Sequence, residues 1–296
     1  MSTLYDGIST ARSYVDLDVL VHPSDLGRAL RALEPGDITV IDANWPMLMN
    51  AGVNELRLLG PTGGAIDLHW RLTGRASGMP SPSTQHLMER SQTVVIDGMA
   101  CQTLGPADTV VHLAVHAAGS GGDRLIWLQD LEGALSRAAV MCAPGDLTAT
   151  ADEWEARPAL DLMLRRLRLT CGVERPAELE GLIKPGLWVA LVWLADRLSP
   201  PTRSRKSGSL SRLVARSCRP TSRQSLAAFA SKSCRWLLGR GKRPLTVAEL
   251  LDPTNPASAL YPVGGREGAE AFFAMVAASD QDSSSTSAAA PSDGVV

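Results

Sequence analysis

The chain has 296 residues, 45% of them hydrophobic, and a net charge of −2. That suits one large or two small domains with a sizeable core, and it excludes a chain-wide basic surface for a polyanion. Its five cysteines, Cys101, Cys142, Cys171, Cys218 and Cys234, make no CxxC pair, which excludes a zinc-ribbon spacing and a disulfide framework and fits a reducing cytoplasm.

Residues 1–14 lack the apolar run of a signal peptide. The first strand is expected over 14–22, YVDLDVLVH. Strand side chains alternate between faces, so Asp16 and Asp18, two residues apart, point the same way. Two carboxylates side by side on an apolar strand repel and lose hydration, and a divalent cation relieves both costs. All-oxygen ligation suits Mg²⁺ or Mn²⁺. The dull alternative is an edge strand whose aspartates face solvent while Val15, Leu17 and Val19 face the core.

A helix is expected over 24–33, with Ser24 as its N-cap. Further strands are expected at 37–42, 54–59 and 64–71. LRLLGPTGGAIDLHW reads as a hairpin turning at PTGG, and this turn accounts for Gly63 and Gly64 without a phosphate loop. The hairpin delivers a third carboxylate, Asp67, on the same strand face as His69. His69 could contact phosphate or orient Asp67, or be an ordinary half-buried histidine. Trp70, on the opposite face, reads as core. Strands at 92–96 and 99–103 form a second hairpin around Asp97-Gly98.

From Pro106 the apolar pattern turns to a period of 3.6. ADTVVHLAVHAA carries His112 and His116 four residues apart. That spacing can bind zinc, but no HExxH pattern is present and no third ligand is evident. GSGGDR at 119–124 follows a helix and reads as a helix–helix loop. Asp130, on the next helix, could bind an acceptor, cap a helix or pair with Arg124. GLWVALVWLA at 186–195 has about half the length of a membrane span and reads as a buried core helix, so no membrane span is expected.

From Pro200 to Arg243 there are twelve Lys or Arg residues and no Asp or Glu. A loop-like basic linker is expected over 200–223, followed by an amphipathic helix with Leu226, Phe229 and Trp236 facing inward. A solvated basic face is the preferred reading. Aromatic residues are sparse here, so a nucleic-acid partner is not expected. The Ser- and Ala-rich tail, 279–296, should be disordered. The fold class is therefore α+β, a small mixed β-sheet core followed by a helical domain. The boundaries are 1–105 for the core, 106–250 for the helical domain, 251–278 for a C-terminal segment and 279–296 for the tail. A cleft between core and helical domain is the expected ligand site.

Arg12, VDLDVLVHP, SDLGRALRAL and IDLHW together resemble the uncharacterised nucleotidyltransferase family of the DNA polymerase β-type superfamily. The likeness continues through a helical stretch carrying Asp108, His112 or His116, Trp127 and Asp130, then through DEWEARPALDLMLRRL, and covers roughly residues 5–185. It implies that Asp16, Asp18 and Asp67 hold metal and a nucleoside triphosphate. It also implies that Arg12 lies in the loop entering the metal strand, where it could hold phosphate, a surface ion pair being the alternative. One of the histidines would face the cleft. The reaction implied is transfer of a nucleoside monophosphate from NTP to a hydroxyl of a small molecule, sugar, peptide or protein.

One element departs from the family. Members carry a Gly-containing pair at a helix end ahead of the DxD, which cradles phosphate through backbone N–H groups. Here Gly7-Ile8-Ser9 is the nearby candidate, and it sits too close to Asp16 for a helix, turn and strand. The expectation is that this element and the family's N-terminal helical region are missing. That leaves a catalytically inactive module that binds a nucleotide or a protein as the alternative function.

Overall fold

The computed structural model describes residues 16–73, 78–79, 82–200, 209–237, 249 and 252–287. The first strand, β1 (Asp16–Leu20), leads through a 3-10 turn at Pro23–Asp25 into α1 (Leu26–Leu33). Then come β2 (Thr39–Val40), α2 (Trp45–Ala51), β3 (Glu55–Leu59) and β4 (Ala65–His69). The short helix α3 (Thr84–Glu89) and the hairpin β5 (Gln92–Ile96) and β6 (Met99–Thr103) follow. The rest is helical: α4 (Pro106–Ser120), α5 (Leu125–Met141), α6 (Asp146–Glu153), α7 (Arg157–Cys171), α8 (Leu187–Leu198), α9 (Leu210–Ala215), α10 (Ser222–Leu237) and α11 (Gly265–Ser287). The fold is α+β, as the sequence predicts.

Ser24 does not cap α1. His22 accepts from the Ser24 amide instead, and Ser24 Oγ lies 2.7 Å from His22 Nδ1. Pro23 starts a tight turn one residue early, and the helix proper begins only at Leu26.

The chain divides into two compact units. One holds β1–β4, α1, α2 and α11; the other holds β5, β6 and α4 through α10. The division does not follow a boundary at 105. The β5–β6 hairpin belongs with the helices, and the C-terminal segment belongs with the sheet.

In the first unit the strand order is β1-β4-β3-β2, with β1 parallel to β4 and the other pairs antiparallel. The β3–β4 turn closes with Gly63 at φ 81° and with Gly60 N–H donating to Gly64 O. A left-handed residue is what such a tight turn needs, and glycine adopts it without a Cβ penalty. Alternation puts Leu56, Leu58 and Leu68 on one face, buried with Trp45, Leu48 and Trp70. Phe272 of α11 completes this core, 5.5 Å from both the Trp45 and the Trp70 ring. The segment before α11 is laced on by Asn44, whose side-chain amide donates to Pro256 O and Ser258 O while its Oδ1 caps α2. α11 runs on through 279–287, part of the stretch expected to be disordered. Arg71 donates to Ser279 O, and extending an established helix costs little compared with starting one.

In the second unit α4 packs against α5, α6 and α7, and α8 packs against α9. α4 ends with Gly121 and Gly122 in left-handed conformations, their amides donating to Ala118 O and Ala117 O, so 119–124 is the loop expected. A buried arginine, absent from the sequence reading, holds this region. Arg166 on α7 pairs with Asp196 at 2.7 Å and donates to Gly121 O, Gly122 O and Ser211 O.

Two sequence expectations fail here. α8 is not a fully buried helix. Trp188, Val192, Ala195 and Asp196 form its buried face, while Leu187, Trp193, Leu194 and Leu198 are exposed. An apolar run has no polar stripe to mark its outer side, so its sequence conceals which face is covered. The 200–223 segment is also not all linker. Ser209 caps α9, and Ser211, Val214, Ala215 and Cys218 are buried. In α10, Leu226 and Phe229 are half-buried, and the Trp236 side chain lies outside the described residues.

Candidate metal centre

The first unit's sheet has one covered face and one acidic face. The parallel register sets Asp18 directly beside Asp67, and Asp16 beside Ala65. On the other side of β4 the antiparallel register sets Arg57 beside Asp67 and Glu55 beside His69. Paired residues share a face, so Asp16, Asp18, Asp67, His69, Glu55 and Arg57 all project away from the leucine core.

Within this group Asp18, Asp67 and His69 come closest. Each offers a donor atom, and these atoms lie within 4.8 Å of one another. His69 Nε2 is 2.9 Å from Asp18 Oδ1. Its other nitrogen, Nδ1, is 3.2 Å from Glu55 Oε2, close enough for an ion pair but off the line of a good hydrogen bond. His69 is nine-tenths buried, Asp67 is half-buried, and Asp16 and Asp18 are exposed. Asp16 lies outside the closest cluster. Strand geometry puts it about 7 Å along β1 from Asp18.

Arg57, the cross-strand partner of Asp67, is a fixed cation. Its Nε and Nη2 both donate to Asp42 Oδ1, and Asp42 Oδ2 accepts from the Arg57 amide. Asp42 is itself buried, so it holds the guanidinium in place.

The titration behaviour follows from crowding. Burial holds the Asp67 carboxyl above the ordinary range, and the charges of Asp18 and Asp16 add to this, while His69 and Arg57 pull it back. Glu55 is also raised, first by burial, against the pull of His69. For His69, burial opposes the charged form, but the hydrogen bond to Asp18 and the nearby Glu55 and Asp67 outweigh it, so the net shift is upward. Burial is the main cause for both carboxylates, with the neighbouring anions adding to it.

The remaining sequence candidates fall elsewhere. Arg12 and Gly7 lie outside the described residues. His112 and His116 are neighbours on α4 in the helical unit, ring centres 6.2 Å apart. His112 also lies 6.0 Å from the Trp154 ring, and His116 lies 6.2 Å from Trp127. The described cluster of potential metal ligands does not include them. Asp108 is structural, gripped by Arg90 Nε and Nη2 and by the Trp154 indole N–H at 2.8 Å. Asp130 is buried within α5, and Arg124 stands 5.0 Å over the Trp127 ring.

Glu55 and Arg57 were missed by sequence reasoning. The signal was available: E-L-R in the strand just before PTGG alternates with Leu56 and Leu58, so hairpin pairing places both residues on the face of Asp67.

The DxD strand thus lies directly beside a strand that carries a third aspartate. Residues 2–172, more than half of the chain, match the profile of the uncharacterised nucleotidyltransferase family, and the chain belongs to that family. No curated protein and no solved structure matches the chain. Among the described residues, no helix is long and apolar enough to cross a membrane.

Proposed function

We propose that the chain is a metal-dependent nucleotidyltransferase that moves a nucleoside monophosphate from NTP to a hydroxyl acceptor. The observation that carries the reading is the register: Asp18 and Asp67 are direct neighbours on one sheet face, in a member of a nucleotidyltransferase family. The donor set fits a divalent ion, Mg²⁺ or Mn²⁺, because two carboxylates and one imidazole gather within 4.8 Å of one another and such crowding favours an added cation. Asp18 and Asp67 would hold the ion, with Asp16 close enough along β1 to join through a second site. The ion would supply Lewis-acid stabilisation of charge on the transferring phosphoryl group.

The protein's own residues do the rest. Asp67, beside the ion, would help to accept the acceptor's proton. Arg57, locked by Asp42, would balance negative charge beside Asp67 without competing as a ligand. Arg12 would hold phosphate, and His112, His116 and Asp130 would bind substrate, as the family likeness implies. The five cysteines remain thiols, which suits a cytoplasmic setting.

The test is label transfer. The purified chain is incubated with α-³²P-labelled NTPs, Mg²⁺ or Mn²⁺ and a cell extract as the acceptor source, with pyrophosphate release read in parallel. Metal-dependent labelling that is lost in Asp18→Asn supports the reading. NTP binding without pyrophosphate release favours a binding module instead.

A further inference from the structure

We infer that His69 is itself a metal ligand, oriented by Glu55, and that this mixed oxygen–nitrogen site prefers Mn²⁺ to Mg²⁺. The inference rests on the metal-binding reading above and extends it to the third donor and the choice of ion.

Four observations carry it. First, the cluster that gathers here is Asp18, Asp67 and His69, and Asp16 is not part of it. Second, His69 is nine-tenths buried, with Nε2 directed to Asp18 at 2.9 Å. Two neighbouring ligands of an octahedral ion with bonds of about 2.1 Å stand about 3 Å apart, so Asp18 Oδ1 and His69 Nε2 already have the spacing of adjacent donors. Third, Nδ1 faces Glu55 Oε2 at 3.2 Å. A ligating histidine almost always donates its other ring N–H to a carboxylate or carbonyl, which fixes the tautomer and leaves the metal-facing nitrogen free to ligate. A small rotation of the half-exposed Glu55 carboxylate would align that bond. Fourth, the register fixes the pair: Glu55 and His69 are direct cross-strand partners, so both arrive on the site's face whenever the hairpin forms.

The choice of ion follows from the donors. Mg²⁺ takes oxygen ligands and retains its waters, whereas imidazole suits first-row transition ions. Mn²⁺ accepts carboxylate oxygen as readily as Mg²⁺ does and tolerates the nitrogen as well. Glu55 is then a positioning residue, acting through His69.

The test uses the full chain and the metals alone. Mn²⁺ binding is read by loss of the free-ion EPR signal and Mg²⁺ binding by calorimetry. Bound Mn²⁺ is probed by pulsed EPR for coupling to an imidazole nitrogen. Wild type should bind Mn²⁺ at least about tenfold more tightly than Mg²⁺ and show the nitrogen coupling. His69→Gln should abolish the coupling and bring the two affinities close together. Glu55→Gln should weaken Mn²⁺ about tenfold, the lower end for losing such a supporting contact, while keeping the coupling. Melting temperatures confirm that each variant is folded. Mn²⁺ binding that depends on Asp18 and Asp67 but shows no nitrogen coupling overturns this inference and leaves the carboxylate site standing. Absence of any metal binding by the wild type overturns both.

Discussion

At Asp67 the chain accepts a local cost. Like charges placed directly opposite on adjacent strands are destabilising by a few tenths of a kcal/mol to about 1 kcal/mol, and Asp67 has Asp18 as its register partner. Asp67→Asn should therefore raise the melting temperature of the metal-free protein, by the equivalent of about 0.5 kcal/mol, while it abolishes metal binding. The pH dependence has a definite sign. In the unfolded chain Asp67 and Glu55 ionise near pH 4; in the folded chain both ionise later. Over that interval the folded state holds more protons, so metal-free stability falls as pH rises. His69 acts in the same direction at higher pH. Its folded pKa is raised, so its contribution is complete below about 6.5 and is lost as pH rises through the folded value. Thermal melts from pH 4 to 8 should show this decline in the wild type, a shallower one in Asp67→Asn, and a rise at neutral pH when Mn²⁺ is added.

Two elements of the helical unit make contrasting predictions. Arg166 is fully buried, and breaking a buried pair by removing one partner costs about 3–5 kcal/mol, so Arg166→Leu should be severely destabilised in urea. Replacing both members of a buried pair often restores stability. Here it should not, because Arg166 also serves the carbonyls of Gly121, Gly122 and Ser211. The double variant Arg166→Leu/Asp196→Leu should remain well below wild type. Lys232 on α10 behaves in the opposite way. Burial and the charges of Arg219, Arg216 and Arg235 bring its amine down to about 8. Below that pH it is charged in both states, and the folded state bears the repulsion. Between about 8 and the ordinary 10.5 the folded form is neutral while the unfolded form is still charged, so stability rises with pH. Lys232→Gln should stabilise the protein by about 1 kcal/mol at pH 7, a figure discounted because the amine is half-exposed and screened, and the gain should fade by pH 10. Element by element, strand and hairpin signals were strong because PTGG and Asp97-Gly98 impose turns through left-handed glycines, and alternation then assigns faces. Helices α2 and α3 went unread: WPMLMNA is too short to display a period, and the Asn44 cap draws its strength from contacts more than two hundred residues away.

For the whole molecule, a sheet that turns leucines and tryptophans to one side and acids to the other ties stability and function to the same strands. The return of the C-terminal segment to that sheet was illegible in the sequence, since nothing local in Phe272 or Val276 says what they cover. The acidic face was legible in part. Asp18 and Asp67 could be read from their spacing and the family likeness, whereas the parallel β1–β4 register that joins them, and the arrival of Glu55 beside His69, required the fold. The most direct measurement is transfer of α-³²P from a labelled NTP by the purified 296-residue chain in Mg²⁺ and in Mn²⁺, compared with Asp18→Asn and Asp67→Asn. The account predicts labelled acceptor and pyrophosphate from the wild type, faster in Mn²⁺, and loss of at least about a hundredfold in rate in either folded variant, as expected when a step that depends on charge stabilisation loses a principal contributor. Transfer that persists unchanged in both variants would contradict it.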